Sequence, residues 1–132
     1  MRIIINGARI AGPTLAYWLR RAGHEVLLAT TGAAGIEIFR REAARIGIVL
    51  LDVGMPGMPG DAVLAKIRAL SPDVPVIIIS GYSQQDVSAK FRGLNVTQFI
   101  QKPFSARKLD SAVAEVLSQM SRLVGAERAS RA

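Results

Sequence analysis

Four apolar residues in a row, Ile48-Val49-Leu50-Leu51, run into a single carboxylate, Asp52, and the chain then passes at once through Val53-Gly54-Met55-Pro56-Gly57-Met58-Pro59-Gly60. A continuous apolar run has no side to offer water, so it fits a strand covered on both faces, as in a parallel sheet. Asp52 then stands at the carboxyl end of that strand, where open α/β sheets place their ligand crevices. The Pro/Gly segment is a tight, shaped loop, because neither residue suits a helix or strand interior. An acid at such a place can be a nucleophile, a metal ligand or the N-cap of the next turn, and spacing alone leaves all three open.

The rest of the chain repeats the strand-then-helix theme. Arg2–Asn6 reads as a first strand, and Gly12-Pro13 opens a helix that runs to about Ala22 and stops at Gly23. Glu25–Ala29 is a second strand, with His24 in the turn before it. Ala33–Arg45 is a second helix, with Ile36, Ile38 and Phe39 as its apolar candidates. After the central strand come a helix over Asp61–Leu70, an apolar strand over Val74–Ile79 that ends at Ser80-Gly81, and a polar helix over Ser83–Arg92. A short strand over Val96–Gln101 ends at Lys102-Pro103. A last helix over Ser105–Val124 carries the stripe Leu109, Val113, Val116, Leu117 and Met120, and residues 125–132 read as a flexible tail. Five alternations of strand and helix predict one α/β domain over residues 1–124, with a parallel sheet covered on both faces.

Composition narrows the function. A chain of 132 residues suits a single domain, and half of it is hydrophobic, enough for a true core. No apolar run is long enough to span a membrane, and the start of the chain reads as a strand, not a leader. With no cysteine and one histidine, disulfides, thiol chemistry and His-rich metal sites are excluded, and a cytoplasmic setting is expected. The net charge of +7 raises acidic partners or nucleic acid. The arginines form no single block, however, and no nucleic-acid-binding signature accompanies them, so solvated helix faces are the expectation. Neither nucleic acid nor membrane is expected as a partner.

If the strands are parallel, their carboxyl ends gather Asn6-Gly7, Thr30, Asp52, Ser80 and Lys102 on one rim. A carboxylate that can attack phosphorus, a hydroxyl and an ammonium make a reasonable phosphate site. An Asp–Lys ion pair with a capping serine explains the same residues with no chemistry at all. Three motifs carry a resemblance here: Leu50-Leu51-Asp52-Val53-Gly54-Met55-Pro56 with Gly60 after it, Ile79-Ser80-Gly81, and Phe99-Ile100-Gln101-Lys102-Pro103-Phe104. In this order and spacing they resemble the receiver domain of two-component response regulators, from about His24 to Leu117.

The resemblance implies a flavodoxin-like, doubly wound five-stranded sheet in the order 2-1-3-4-5. It implies that Asp52 accepts a phosphoryl group from a histidine kinase or phosphotransfer protein, with Ser80 and Lys102 touching the phosphate. Phe99 would turn inward as the Ser80 hydroxyl swings toward phosphate, a two-state switch. The Lys102-Pro103 bond would be cis, and the Gly54 carbonyl would help Asp52 hold Mg²⁺. Such a domain is a monomer or weak dimer and not an enzyme in its own right.

One part of the family pattern is missing. Its acidic pair at the end of the first strand falls here on Asn6 and Gly7. Mg²⁺ prefers anionic oxygen ligands, and Asn6 offers only an amide oxygen. Weak or absent Mg²⁺ binding, a Lys102 that faces Asp52 almost alone, and poor phosphorylation are therefore expected.

The opening stretch Ile3-Ile4-Ile5-Asn6-Gly7-Ala8-Arg9-Ile10-Ala11-Gly12, continuing through Gly23 to Val26, also looks like the strand-turn-helix of FAD-dependent monooxygenases. There a glycine-rich turn presents backbone N–H groups to a pyrophosphate. Gly7 and Gly12 fit that frame, Arg9 takes its middle glycine, and Thr30 stands where an acid would meet ribose. Stable FAD binding is not expected, while an anion near Gly12 with Arg9 beside it remains an alternative. Two resemblances in one short chain suggest a chimera, a Rossmann-type unit over residues 1–26 joined to a receiver-like remainder between Gly23 and Thr30. An engineered scaffold without native activity and a natural degenerate receiver both fit that reading.

Overall fold

The computed structural model describes residues 2–6, 12–53 and 58–131. Strands β1 (Arg2–Asn6), β2 (Glu25–Ala29), β3 (Ile46–Asp52), β4 (Val76–Ser80) and β5 (Gln98–Gln101) alternate with helices α1 (Gly12–Arg21), α2 (Gly32–Glu42), α3 (Gly60–Leu70), α4 (Gln84–Ser88) and α5 (Ala106–Arg131). All four strand pairings are parallel, and the sheet order is β2-β1-β3-β4-β5. This is the doubly wound, flavodoxin-like order.

The apolar run of β3 explains the two layers of core. Successive side chains of a strand point to opposite faces. Ile48 and Leu50 join Ile3, Ile77, Leu19 of α1 and Leu109, Val113 and Val116 of α5 on one face. Val49 and Leu51 join Ile4, Phe39 of α2 and Val63, Leu64 and Ile67 of α3 on the other. All four β3 residues are fully buried. Burying a side chain of this size stabilises by about 1.5–3 kcal/mol.

Several ends differ from the sequence expectation, each for a local reason. The first two strands match in full. β4 begins at Val76, since Pro75 has no N–H to give and its carbonyl accepts from Val49 instead. The second helix closes at Glu42 and tightens into a 3₁₀ turn over Ala43–Arg45 before β3. Thr31 caps its start, accepting from the Ala34 amide at 3.1 Å. Gly32 lies where a Cβ would come within 2.7 Å of Val63, so α2 and α3 approach as closely as they do only because no side chain intervenes.

The polar fourth helix is five residues, not the span expected to Arg92, and turns at Gly93 and Asn95, both with positive φ, lead from it to β5. The first helix ends at Arg21, leaving Ala22 exposed in the turn after it, and the side chain of Met120 falls outside the described ones. The last helix does not stop at Val124. It continues to Arg131, with Ala126, Glu127, Arg128 and Ala129 favouring the helix despite Gly125, and its 26 residues run about 39 Å, far longer than the sheet is tall.

Candidate functional site

Asp52 is the last residue of β3 and Ser80 the last of β4, while Lys102 follows β5 directly. Parallel pairing therefore brings all three to the same rim. The backbone tightens that arrangement: Val53 donates to the Ile79 carbonyl at 2.8 Å and Lys102 to the Ser80 carbonyl at 2.7 Å, so the ends of β3 and β5 both close on β4. The Lys102-Pro103 bond is cis.

The side chains then meet. Lys102 Nζ donates to Asp52 Oδ2 at 2.7 Å, with the carboxylate 14% exposed and the lysine 31% exposed. A hydrogen bond to a charged group in such a partly dry setting contributes about 1.5–3 kcal/mol. Ser80 is completely buried. Its Oγ accepts from the Tyr82 amide at 3.0 Å, a local turn that fixes the start of the β4–α4 loop. The ion pair and the capping serine that the sequence left as a purely structural explanation are thus both formed, on the same residues that would handle phosphate.

Phe99 sits on β5 opposite Ile78 of β4. It packs against the α2–α3 core and lines a cavity of about 120 Å³ with Val87 and Phe91 and with Ile78 and Val96. Ser80 is two residues beyond Ile78 on β4, so Phe99 and Ser80 belong to the same side of the sheet. Asn6 ends β1 on the same rim, in register with Leu51. Gly54, Gly7 and Arg9 lie outside the described residues, and Gly12 opens α1. Among the described residues no cluster of three or more His, Cys, Asp or Glu forms a metal site, and no helix is long and apolar enough to cross a membrane.

One structural residue has no counterpart in the sequence reading. Arg68, in the last turn of α3, gives its guanidinium to four backbone carbonyls: Leu94 at 2.8 Å, Asn95 at 2.7 Å, Val74 at 2.6 Å and Ser71 at 3.3 Å. It ties the end of α3 to the connector that leads from α4 into β5. Its only sequence signal is a basic residue near a helix end.

The comparisons with known proteins agree with this geometry. The model of the response regulator receiver domain matches residues 3–114. The sensory transduction protein RegX3 of Mycobacterium tuberculosis is 34% identical over 115 residues, which is 87% of this chain and 49% of that protein. The response regulator protein FleR of Pseudomonas aeruginosa is 30% identical over 112 residues, 85% of this chain and 23% of that one. The chain therefore spans about half the length, or less, of these relatives. Among solved structures, a CheY-like receiver domain protein from Methanospirillum hungatei superposes with a TM-score of 0.84 at 25% identity, covering 92% of this chain and 96% of that one.

The family match starts at residue 3 and takes in the strand and helix that also look like a flavoprotein opening. The expectation of a join between Gly23 and Thr30, of an engineered scaffold, and of a FAD-type module at Gly7–Gly12 finds no support in these likenesses. Both folds open with the same strand-turn-helix geometry, so an apolar strand followed by glycines is common to them and a lone glycine motif discriminates poorly. The chain belongs to the family of response regulator receiver domains.

Proposed function

We propose that this receiver domain takes a phosphoryl group on Asp52 from a histidine kinase or phosphotransfer protein, slowly and with little help from Mg²⁺, and that it signals in the cytoplasm by protein contact. The observation that carries the proposal is the Asp52 carboxylate held at the carboxyl rim by Lys102 at 2.7 Å, with Ser80 ending the neighbouring strand. A carboxylate oxygen attacks phosphorus, the O–P bond forms as the P–N bond of the phosphohistidine breaks, and the electron pair leaves with the imidazole nitrogen. Lys102 then moves its ammonium from the carboxylate to the phosphoryl oxygens. The Ser80 hydroxyl exchanges the Tyr82 amide for another of those oxygens, and Phe99 follows on the same side of the sheet.

The donor chemistry argues against tight Mg²⁺ binding. Asp52, already engaged by Lys102, is the one carboxylate among the proposed ligands, and Asn6 and the Gly54 carbonyl are neutral. The charge that develops in transfer then falls to the Lys102 ammonium and the Ser80 hydroxyl. Incubation with labelled acetyl phosphate tests the reading. Slow, substoichiometric labelling that hardly responds to Mg²⁺ and vanishes in Asp52→Asn is expected. Rapid, stoichiometric, Mg²⁺-dependent labelling would refute the impairment, and labelling that survives Asp52→Asn would refute the site.

A further inference from the structure

The arginines that look scattered along the chain are gathered by the topology. In a parallel α/β fold every helix that leads into a strand ends where that strand begins. Arg20 and Arg21 close α1, and Arg40 and Arg41 close α2, with Arg45 in the 3₁₀ turn before β3. All lie at the amino-end rim of the sheet, opposite Asp52, where Arg2 opens β1. Cations at helix ends offset the helix dipole, which accounts for Arg20, Arg21, Arg40 and Arg41 but not for Arg45.

The counter-charge on this rim is already in use. Glu25 and Glu42 both bind Arg2, at 2.6 and 2.5 Å. Arg20 is committed to the Val26 carbonyl and Arg21 to Tyr17. Arg41 and Arg45 have no hydrogen-bond or ion-pair partner among the described residues, and both are exposed. Together with Ala44 and the Arg2-bound Glu42 they line a cleft of about 300 Å³. Two cations of the chain's +7 excess are thus left open to solvent at this point.

We infer that this cleft docks an acidic protein segment, a run of Glu and Asp side chains whose carboxylates pair with the Arg41 and Arg45 guanidiniums. Guanidinium forks match carboxylate and phosphate alike, so the choice between them rests on the shape of the surface. α1 and α2 cover opposite faces of the sheet, and the carboxylates of Glu25, at the start of β2, and Glu42, at the end of α2, lie among the basic side chains of this rim. That interruption breaks any continuous track for a phosphate backbone but leaves separate places for discrete carboxylates. No aromatic side chain lines the cleft to stack a base.

The test is fluorescence anisotropy with the whole chain and a labelled twelve-residue polyglutamate, with a single-stranded oligonucleotide of the same charge as competitor. Binding that weakens at least about fivefold in Arg41→Ala/Arg45→Ala, yet is kept by Arg107→Ala/Lys108→Ala, is the expected result. The second variant loses the same charge at the opposite rim. Equal weakening in both variants would reduce the effect to net charge and overturn the site. Displacement by the oligonucleotide at lower concentration than unlabelled polyglutamate would overturn the choice of an acidic polypeptide. Because Arg41 and Arg45 are exposed, circular dichroism of the variant is expected to match the parent, and the charge reversal Arg41→Glu/Arg45→Glu provides a second reading if it does not.

Discussion

The two rims of this sheet both hold ion pairs, built in different ways. At the carboxyl rim, Asp52 and Lys102 extend from strand ends whose backbones are bonded to β4, so strand register sets their distance. At the amino rim, Arg2 reaches Glu25 and Glu42 with long side chains from a strand start and a helix end, and Glu25 is 67% exposed. The first pair is one cation and one anion in a partly dry place. The second divides one cation between two carboxylates in water's reach, beside arginines that have none. Backbone pairing makes the carboxyl rim a fixed site, whereas side-chain reach makes the amino rim an adjustable, salt-sensitive surface.

The largest effect is expected where the amino rim is held by backbone contacts after all. Arg68→Ala strips hydrogen bonds from four carbonyls around a partly buried guanidinium that burial pushes below its ordinary pKa, and should cost about 3 kcal/mol in urea unfolding. A loss below about 1 kcal/mol would mean that water replaces the clamp. A smaller effect belongs to the fixed pair. A double-mutant cycle with Asp52→Asn and Lys102→Met should give a coupling of about 1–2 kcal/mol that changes little between low and high salt. Coupling that disappears in salt would place this pair in the same class as the other rim.

Arg2→Ala should lower stability slightly at low ionic strength and almost not at all in high salt. A salt-independent loss would erase the contrast between the rims. The smallest effect concerns His24, in the turn before β2. Burial pushes its imidazole below the ordinary value, the chain's amino terminus adds to the drop, and Asp110 opposes it. The unfolded chain then binds the proton more readily, so stability is retained above about pH 6.5 and declines as pH falls below that value toward the folded pKa. Chemical denaturation at pH 7.5 and 5.5 should show this decline in the parent and a shallower one in His24→Gln. Identical slopes would count against it.

What was legible in the sequence followed the same division. Ile48 to Asp52 declared a doubly covered strand and its end because parity and burial are local properties. Asp52, Ser80 and Lys102 could be placed on one rim because Asp52 and Ser80 each close an apolar run and Lys102 follows a short strand. The short α4 was not legible, since a polar segment carries no periodicity to mark its end, and the turns at Gly93 and Asn95 decided it. Arg68 was invisible because its partners are carbonyls, which every residue has, up to 27 positions away. The basic amino rim was hidden because its members come from separate elements and become neighbours only once the strands pair.

The all-apolar β3 has a cost in information. Sliding it by one residue would exchange Leu50 for Val49 or Leu51 and leave both faces greasy, so hydrophobic alternation cannot tell the right pairing from the wrong one. The same holds for Ile3-Ile4-Ile5 and Val76-Ile77-Ile78-Ile79 beside it. Asp52 breaks the degeneracy. A slip that drew it into the place of Leu51 would sink an ionised carboxylate into the core, away from its ammonium, at a cost of several kcal/mol. The carboxylate is therefore a spelling mark as well as a reactive group, the one letter that lets a run of near-synonyms be read in frame.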